Sequence, residues 1–195
     1  EYNPLNPQQL KDYDVSSYCY RHSRRDWKVS AYDKGYGINY DGDSRKPEYL
    51  IDGEKKTNWS SGKINDKPLE LPYYIIFDLN KVSDIDGVYL ANGYSNQCLA
   101  DVHVEYIGSE VADPYDINAP WETLLQVTDP NVVRANLKNE RFFDCPRTQA
   151  RYLRLKISNP NTIVFKSDSD LTEEEKANQK KYHSFAEFGT YYKKP

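Results

Sequence analysis

Methionine is absent from this chain, and histidine and cysteine occur three times each. The histidines, His22, His103 and His183, are scattered and have no cysteine or acid at metal-ligand spacing. The cysteines, Cys19, Cys98 and Cys145, are odd in number and do not read as a disulfide framework. One bridge with a spare thiol and no bridge at all both remain open. No apolar run approaches a membrane span, and no signal peptide is visible. Gly-x-Ser-x-Gly, a phosphate loop and His-Glu-x-x-His are all missing. Acids are plentiful, yet no pair stands out as general acid and base, so no enzyme activity is expected. Positive charge is short as well. The formal net charge is −4 and the isoelectric point about 5.5, which argues against a nucleic-acid partner.

What the chain does have is tyrosine, 18 in 195 residues. A tyrosine ring offers apolar area and its hydroxyl a polar tip, which suits ligand contact, although most of these rings are expected to cover sheet edges. The length predicts one domain with a real core. Residues 1–26 are rich in tyrosine, proline and charge and read as a leader or linker packing on a domain that spans 27–195. The basic cluster around Arg24 reads as a solvated face. The chain opens on Glu1 rather than methionine, which reads as a mature or trimmed segment.

From residue 27 the pattern is that of short strands. Residues 27–32 alternate, with Trp27, Val29 and Ala31 inward. Residues 73–79 and 88–90 read as two strands. Residues 101–107 alternate with Val102, Val104 and Tyr106 inward and His103 and Glu105 outward. Further strands are expected over 121–127, 141–143, 151–157 and 185–192. Thr172 and Glu175 form a capping-box start for a helix reaching Lys181, polar all round, inside an insertion over 158–182. Many short strands and one weak helix predict an all-β sandwich.

Two stretches carry the chemistry. In Asp52-Gly53-Glu54-Lys55-Lys56-Thr57-Asn58-Trp59, Gly53 permits a tight turn that aims the Asp52 carboxylate, the Thr57 hydroxyl and several carbonyls at one point. Such a point suits a hard cation such as calcium, which takes about six to eight oxygens. Trp59 is placed to plug the loop into the core. At the far end, Phe185-Ala186-Glu187-Phe188-Gly189 supplies a second carboxylate, Glu187. Tyr36, Tyr40, Asn92, Tyr94 and Asn96 lie in loops, where aromatic rings and amides suit a hydroxyl-rich ligand.

The order Asp-Gly-x-x-x-Thr-x-Trp, alternating strands, Ala150-Arg151-Tyr152-Leu153-Arg154-Leu155 and Phe185-Ala186-Glu187-Phe188-Gly189 resembles the discoidin domain. This is the coagulation factor V/VIII type C domain, whose sugar-binding members are the family 32 carbohydrate-binding modules. The resemblance implies an antiparallel jelly-roll β-sandwich of the galactose-binding-domain-like type, with a short helical insertion before the last strand. It implies a structural calcium ion held by the side chains of Asp52, Thr57 and Glu187 and the carbonyls of Tyr49, Glu54 and Ala186. Galactose-binding members look to use a histidine just after the loop tryptophan, then an arginine and an asparagine five residues apart. Here Ser60 takes the first place, Ala91 the second and Asn96 the third, so a different sugar is expected.

The function implied is glycan or polysaccharide binding without catalysis, in a module of a larger secreted or cell-surface protein, extracellular and bacterial. The rival is a protein-interaction or spacer module of the same fold. No apolar pair stands at a loop tip, so membrane contact is not expected.

Overall fold

In a computed structural model the chain is described over residues 19–33, 46–61, 63–64, 67–93, 101–116, 118–128, 140–160 and 170–195. These residues hold ten strands: β1 (Cys19–Arg21), β2 (Lys28–Asp33), β3 (Trp59–Ser60), β4 (Lys63–Ile64), β5 (Lys67–Pro68), β6 (Tyr73–Asn92), β7 (Val102–Ile107), β8 (Glu122–Val127), β9 (Glu140–Ile157) and β10 (Ser184–Lys193). A 3-10 helix covers Pro47–Ile51, and one α-helix, α1, covers Glu173–Gln179. All the pairings are antiparallel.

The two long strands make the sandwich. Residues 73–78 of β6 pair with β2 on one side and with the end of β9 on the other, and β9 continues to β7 and β8. Residues 87–91 of β6 pair with the start of β9 and with β10, which carries β1 at one end and β3 at the other. Register shifts between Asp78 and Ser83 and between Ile85 and Gly87 mark where the strands pass from one layer to the next. Between the layers lies one core, in which Trp27, Val29, Ile75, Phe77, Val104 and Leu155 face Trp59, Leu90, Phe143, Phe185 and Phe188. Phe77 and Phe188 stack at 4.2 Å between ring centroids.

The structure corrects three expectations. Residues 73–79 and 88–90 are one strand, as are 141–143 and 151–157. Glu105 is buried rather than solvated, although β7 keeps its alternation along β9, and Tyr106 packs against the core while only half-buried. Arg154 pairs with the buried Glu105 at 3.0 Å. Arg24 is not a solvated group, as the next subsection describes. Helix α1 starts at the expected capping box and buries none of its residues.

The end of the leader is part of the sheet. Cys19–Arg21 pair with residues 191–193 of β10, and the Arg21 guanidinium lies over the rings of Tyr89 and Phe142 while bonding Glu140 at 2.7 and 2.6 Å. Beneath it, two tyrosines lie on glycines of the neighbouring strand. Tyr191 covers its cross-strand partner Gly87, and Tyr89 covers Gly189, each so closely that a Cβ on the glycine would strike the ring. The Tyr191 hydroxyl donates to Asp144. Cys19 and Cys145 are both buried.

Candidate functional site

The loop after the 3-10 helix folds as its residues dictate. Asp52 caps the helix, and Gly53 follows at φ 82°, the left-handed region where a side chain would strain the backbone. The turn lets Asp52 Oδ1 accept from the Glu54 N–H at 2.8 Å and Oδ2 accept from the Thr57 hydroxyl at 2.6 Å. The Glu54 carbonyl accepts from that hydroxyl at 2.9 Å and from the Thr57 N–H at 3.3 Å. Oxygens of Asp52, Glu54 and Thr57 therefore converge in one loop. Trp59, fully buried, anchors the loop's far end edge-on to Phe185 at 5.5 Å.

Glu187 reaches this loop through a bulge. The pairing of β10 with β6 steps from Phe185–Asn92 to Glu187–Ala91, leaving Ala186 out of register. Strict alternation would put Phe185 and Glu187 on one face. With the extra residue, Phe185 and Phe188 both enter the core, and Glu187 is turned away from it. Its carboxylate is 2 % exposed. Oε2 accepts from Arg24 Nη1 at 2.5 Å, while Oε1 is buried with no hydrogen-bond partner among the described residues. Burial, opposed by Arg24 and aided by the negative charge of Asp52, raises the Glu187 carboxyl to about 6.

Arg24 is the residue that sequence reasoning missed. Its Nη1 also donates to the carbonyls of Leu50 at 3.1 Å and Phe188 at 2.9 Å. One guanidinium thus ties the leader to both stretches that form the site. Basic residues in a leader are usually solvated, and the partner lies 163 positions away, so no local signal marks it.

Among the described residues, no three His, Cys, Asp or Glu side chains converge as a metal cluster. The donor set here is two carboxylates, a hydroxyl and nearby carbonyls, all oxygen, which fits a hard cation rather than a thiol- or imidazole-bound metal. The partnerless Glu187 Oε1 beside Asp52 fits a cation too, since buried polar atoms are normally satisfied. Tyr49 lies half-buried in the 3-10 helix, next to Leu50, and Ala186 is fully buried at the bulge.

At the expected sugar-binding end, Ser60 pairs with Ser184, and Asn92 pairs with Phe185 on the other edge of β10. Two of the candidate positions thus flank the start of one strand. Ser60 is 7 % exposed, and its hydroxyl is buried without a partner among the described residues. Tyr36, Tyr40, Tyr94 and Asn96 lie outside the described residues. Below this end sits a second feature the sequence did not mark. His183, fully buried, places Nδ1 2.5 Å from the Tyr73 hydroxyl and Nε2 3.1 Å from the Asn159 carbonyl, and its backbone N–H donates to the Ser61 hydroxyl at 2.8 Å. Burial pushes this imidazole down to about 4, so it is neutral at pH 7.

The fold recurs widely. A Bacteroides fragilis F5/8 type C domain matches with a TM-score of 0.60 at 17% identity, over 91% of this chain and 98% of that one. A CBM32 module from Clostridium perfringens, solved with GalNAc-β-1,3-galactose, matches at 0.57 and 15% identity, over 88% and 99%. A chitosan-binding module from a Paenibacillus chitosanase/glucanase matches at 0.58 and 14% identity, over 89% and 100%. No curated protein is matched by the sequence. The F5/8 type C domain model matches residues 27–167, most of the chain. With the jelly-roll sandwich and the Asp52-to-Trp59 loop in place, the chain belongs to the F5/8 type C domain family.

Proposed function

We propose that this protein is a non-catalytic carbohydrate-binding module of a larger secreted or cell-surface protein, stabilised by a structural calcium ion. The observation that carries the reading is the family match over residues 27–167. Two solved relatives are named for carbohydrate: one was solved with a GalNAc-galactose disaccharide, and the other is a chitosan-binding module. Attachment to a larger protein is supported by a further relative in which a CBM32 and an alginate lyase domain share one chain, of which this chain covers 34%.

The calcium ligands would be the side chains of Asp52, Thr57 and Glu187 with the carbonyls of Tyr49, Glu54 and Ala186. The bulge at Ala186 supports this, because it takes that residue out of the β10–β6 ladder register. When bound, the ion supplies a fixed divalent charge that joins the early loop to the last strand. The protein's own residues do the rest. Trp59 seals the loop into the core, and β3, β10 and β6 hold the glycan end rigid. Tyr36, Tyr40 and Tyr94 would stack on a pyranose face, while Asn92, Asn96 and Ser60 would bond its hydroxyls.

The test is calorimetric titration with GalNAc-β-1,3-galactose and with chitosan oligosaccharide, for the wild type and for Tyr94→Ala and Asn96→Ala. Saturable binding to one of them, lost in both variants at unchanged melting temperature, is expected. Variants that unfold the domain would make those residues structural. The second reading, an interaction or spacer module, is favoured by the burial of the Ser60 hydroxyl and by Ala91 in the arginine's place.

A further inference from the structure

Arg24 stands within bonding distance of three oxygens, from Glu187, Leu50 and Phe188. These belong to the same two chain segments that the calcium ion would join. Arg24 therefore already ties the early loop to the last strand with a single positive charge. It neutralises only one of the two carboxylates. Asp52 and Glu187 carry two negative charges between them, Arg24 carries one positive charge, and the balance is one negative charge beside the buried Oε1. The two Glu187 oxygens are divided: Oε2 is taken by Arg24, and Oε1 is left over.

We infer that Arg24 is a positioning residue of the cation site, sharing the Glu187 carboxylate with the ion and weakening the ion's binding. This rests on the reading of the loop as a calcium site. Two consequences follow from the charges. With Arg24 in place the site has a net charge of −1, and calcium affinity falls as the negative charge of the ligand set is reduced, so binding is weak, about 10⁻⁴ to 10⁻³ M, as in extracellular modules. And because Arg24 holds the segments together by itself, the domain stays folded when calcium is removed. Removing a unit positive charge several ångströms from a divalent ion, in partly exposed surroundings, tightens the ion's binding roughly tenfold.

The experiment titrates calcium into the full chain after chelation, for wild type, Arg24→Gln and Arg24→Lys, with melting temperatures measured in EDTA. Wild type should bind one calcium weakly. Arg24→Gln should bind it about tenfold more tightly and melt lower in EDTA, since the tie is lost when no ion replaces it. Arg24→Lys keeps the charge and should stay within about threefold of wild type. It serves alone if Arg24→Gln fails to fold, and a tenfold gain in it would overturn the inference. Wild-type binding that Arg24→Gln leaves unchanged or weakens would overturn the inference while sparing the calcium site. Binding seen only in Arg24→Gln would show that Arg24 replaces the ion rather than sharing with it. No binding in any protein would overturn the calcium site itself, and the inference with it.

Discussion

Two buried carboxylates in this molecule meet opposite fates. Asp86 sits where β6 bends between the layers and is 4 % exposed. Arg147 grips it with two bonds, at 3.0 and 2.7 Å, and the Lys193 N–H adds a third at 2.7 Å. Those bonds, Arg147's first, hold the Asp86 carboxyl below the ordinary aspartate range. Glu187 is no more exposed, but it has one matched oxygen and one bare one, with a second acid beside it, and its carboxyl is raised. The first arrangement is complete in itself and pins a bend. The second is complete only with a further positive charge. Burial is common to both, so the difference lies in the count of donors. A carboxylate whose donors are all present serves structure, and one left short points to a ligand.

His183 gives the largest expected effect and shows how a third buried group is matched, by staying neutral. Its folded pKa, about 4, lies below the ordinary 6.5. The unfolded chain therefore binds the proton first, and stability is lost as pH falls from about 6.5 toward 4, by roughly 3 kcal/mol over the whole window. Urea midpoints between pH 7 and 5 should fall in the wild type and flatten in His183→Gln, whose amide can bond both Tyr73 and Asn159. An equal slope in the two proteins would assign the acid sensitivity elsewhere.

Neutralising the matched carboxylate comes next. Asp86→Asn should lower stability by about 2 kcal/mol, because it weakens three hydrogen bonds to a buried group. Arg147 is more than half exposed and adds little through charge alone. The same exchange at the unmatched site should behave differently. In EDTA, Glu187→Gln should shift stability by less than about 1 kcal/mol, since it loses the Arg24 pairing but also the repulsion from Asp52. If Asp86→Asn and Glu187→Gln cost the same under chelation, the contrast between the two sites is wrong.

Calcium should separate the sites again. Tenfold above its dissociation constant it should stabilise the wild type by about 1.4 kcal/mol, a rise of roughly 4 °C in melting temperature. Glu187→Gln and Asp52→Ala should show no rise, and Asp86→Asn should keep the full one. The smallest effect belongs to the loop variants Tyr94→Ala and Asn96→Ala, whose stability should change by less than about 0.5 kcal/mol.

Much of this was legible from the sequence where a local rule operates. Gly53 after Asp52 announced its left-handed turn, Thr172 and Glu175 announced their capping box, and the alternation of Val29, Ala31, Ile75 and Phe77 announced the core face. What stayed hidden depends on partners far along the chain. Six of the nine residues over 78–86 are polar or charged where β6 crosses between layers, so the pattern breaks although the strand does not. Glu105 is buried because its cross-strand neighbour Arg154, far along the chain, receives it. Arg24 belongs to a basic run that looks solvated, and only the fold brings it to Glu187. Family membership, likewise, identifies a scaffold, while the bound partner is set by side chains on its loops.

The measurement that bears most directly on the central claim is a glycan-array screen of the whole chain in millimolar calcium. Binding to a coherent group of glycans sharing one terminal or repeating sugar, abolished by Asn96→Ala, is the predicted result. Silence across neutral, amino and acidic glycans, from a protein shown to be folded and calcium-loaded, would contradict it and leave an interaction or spacer module in its place.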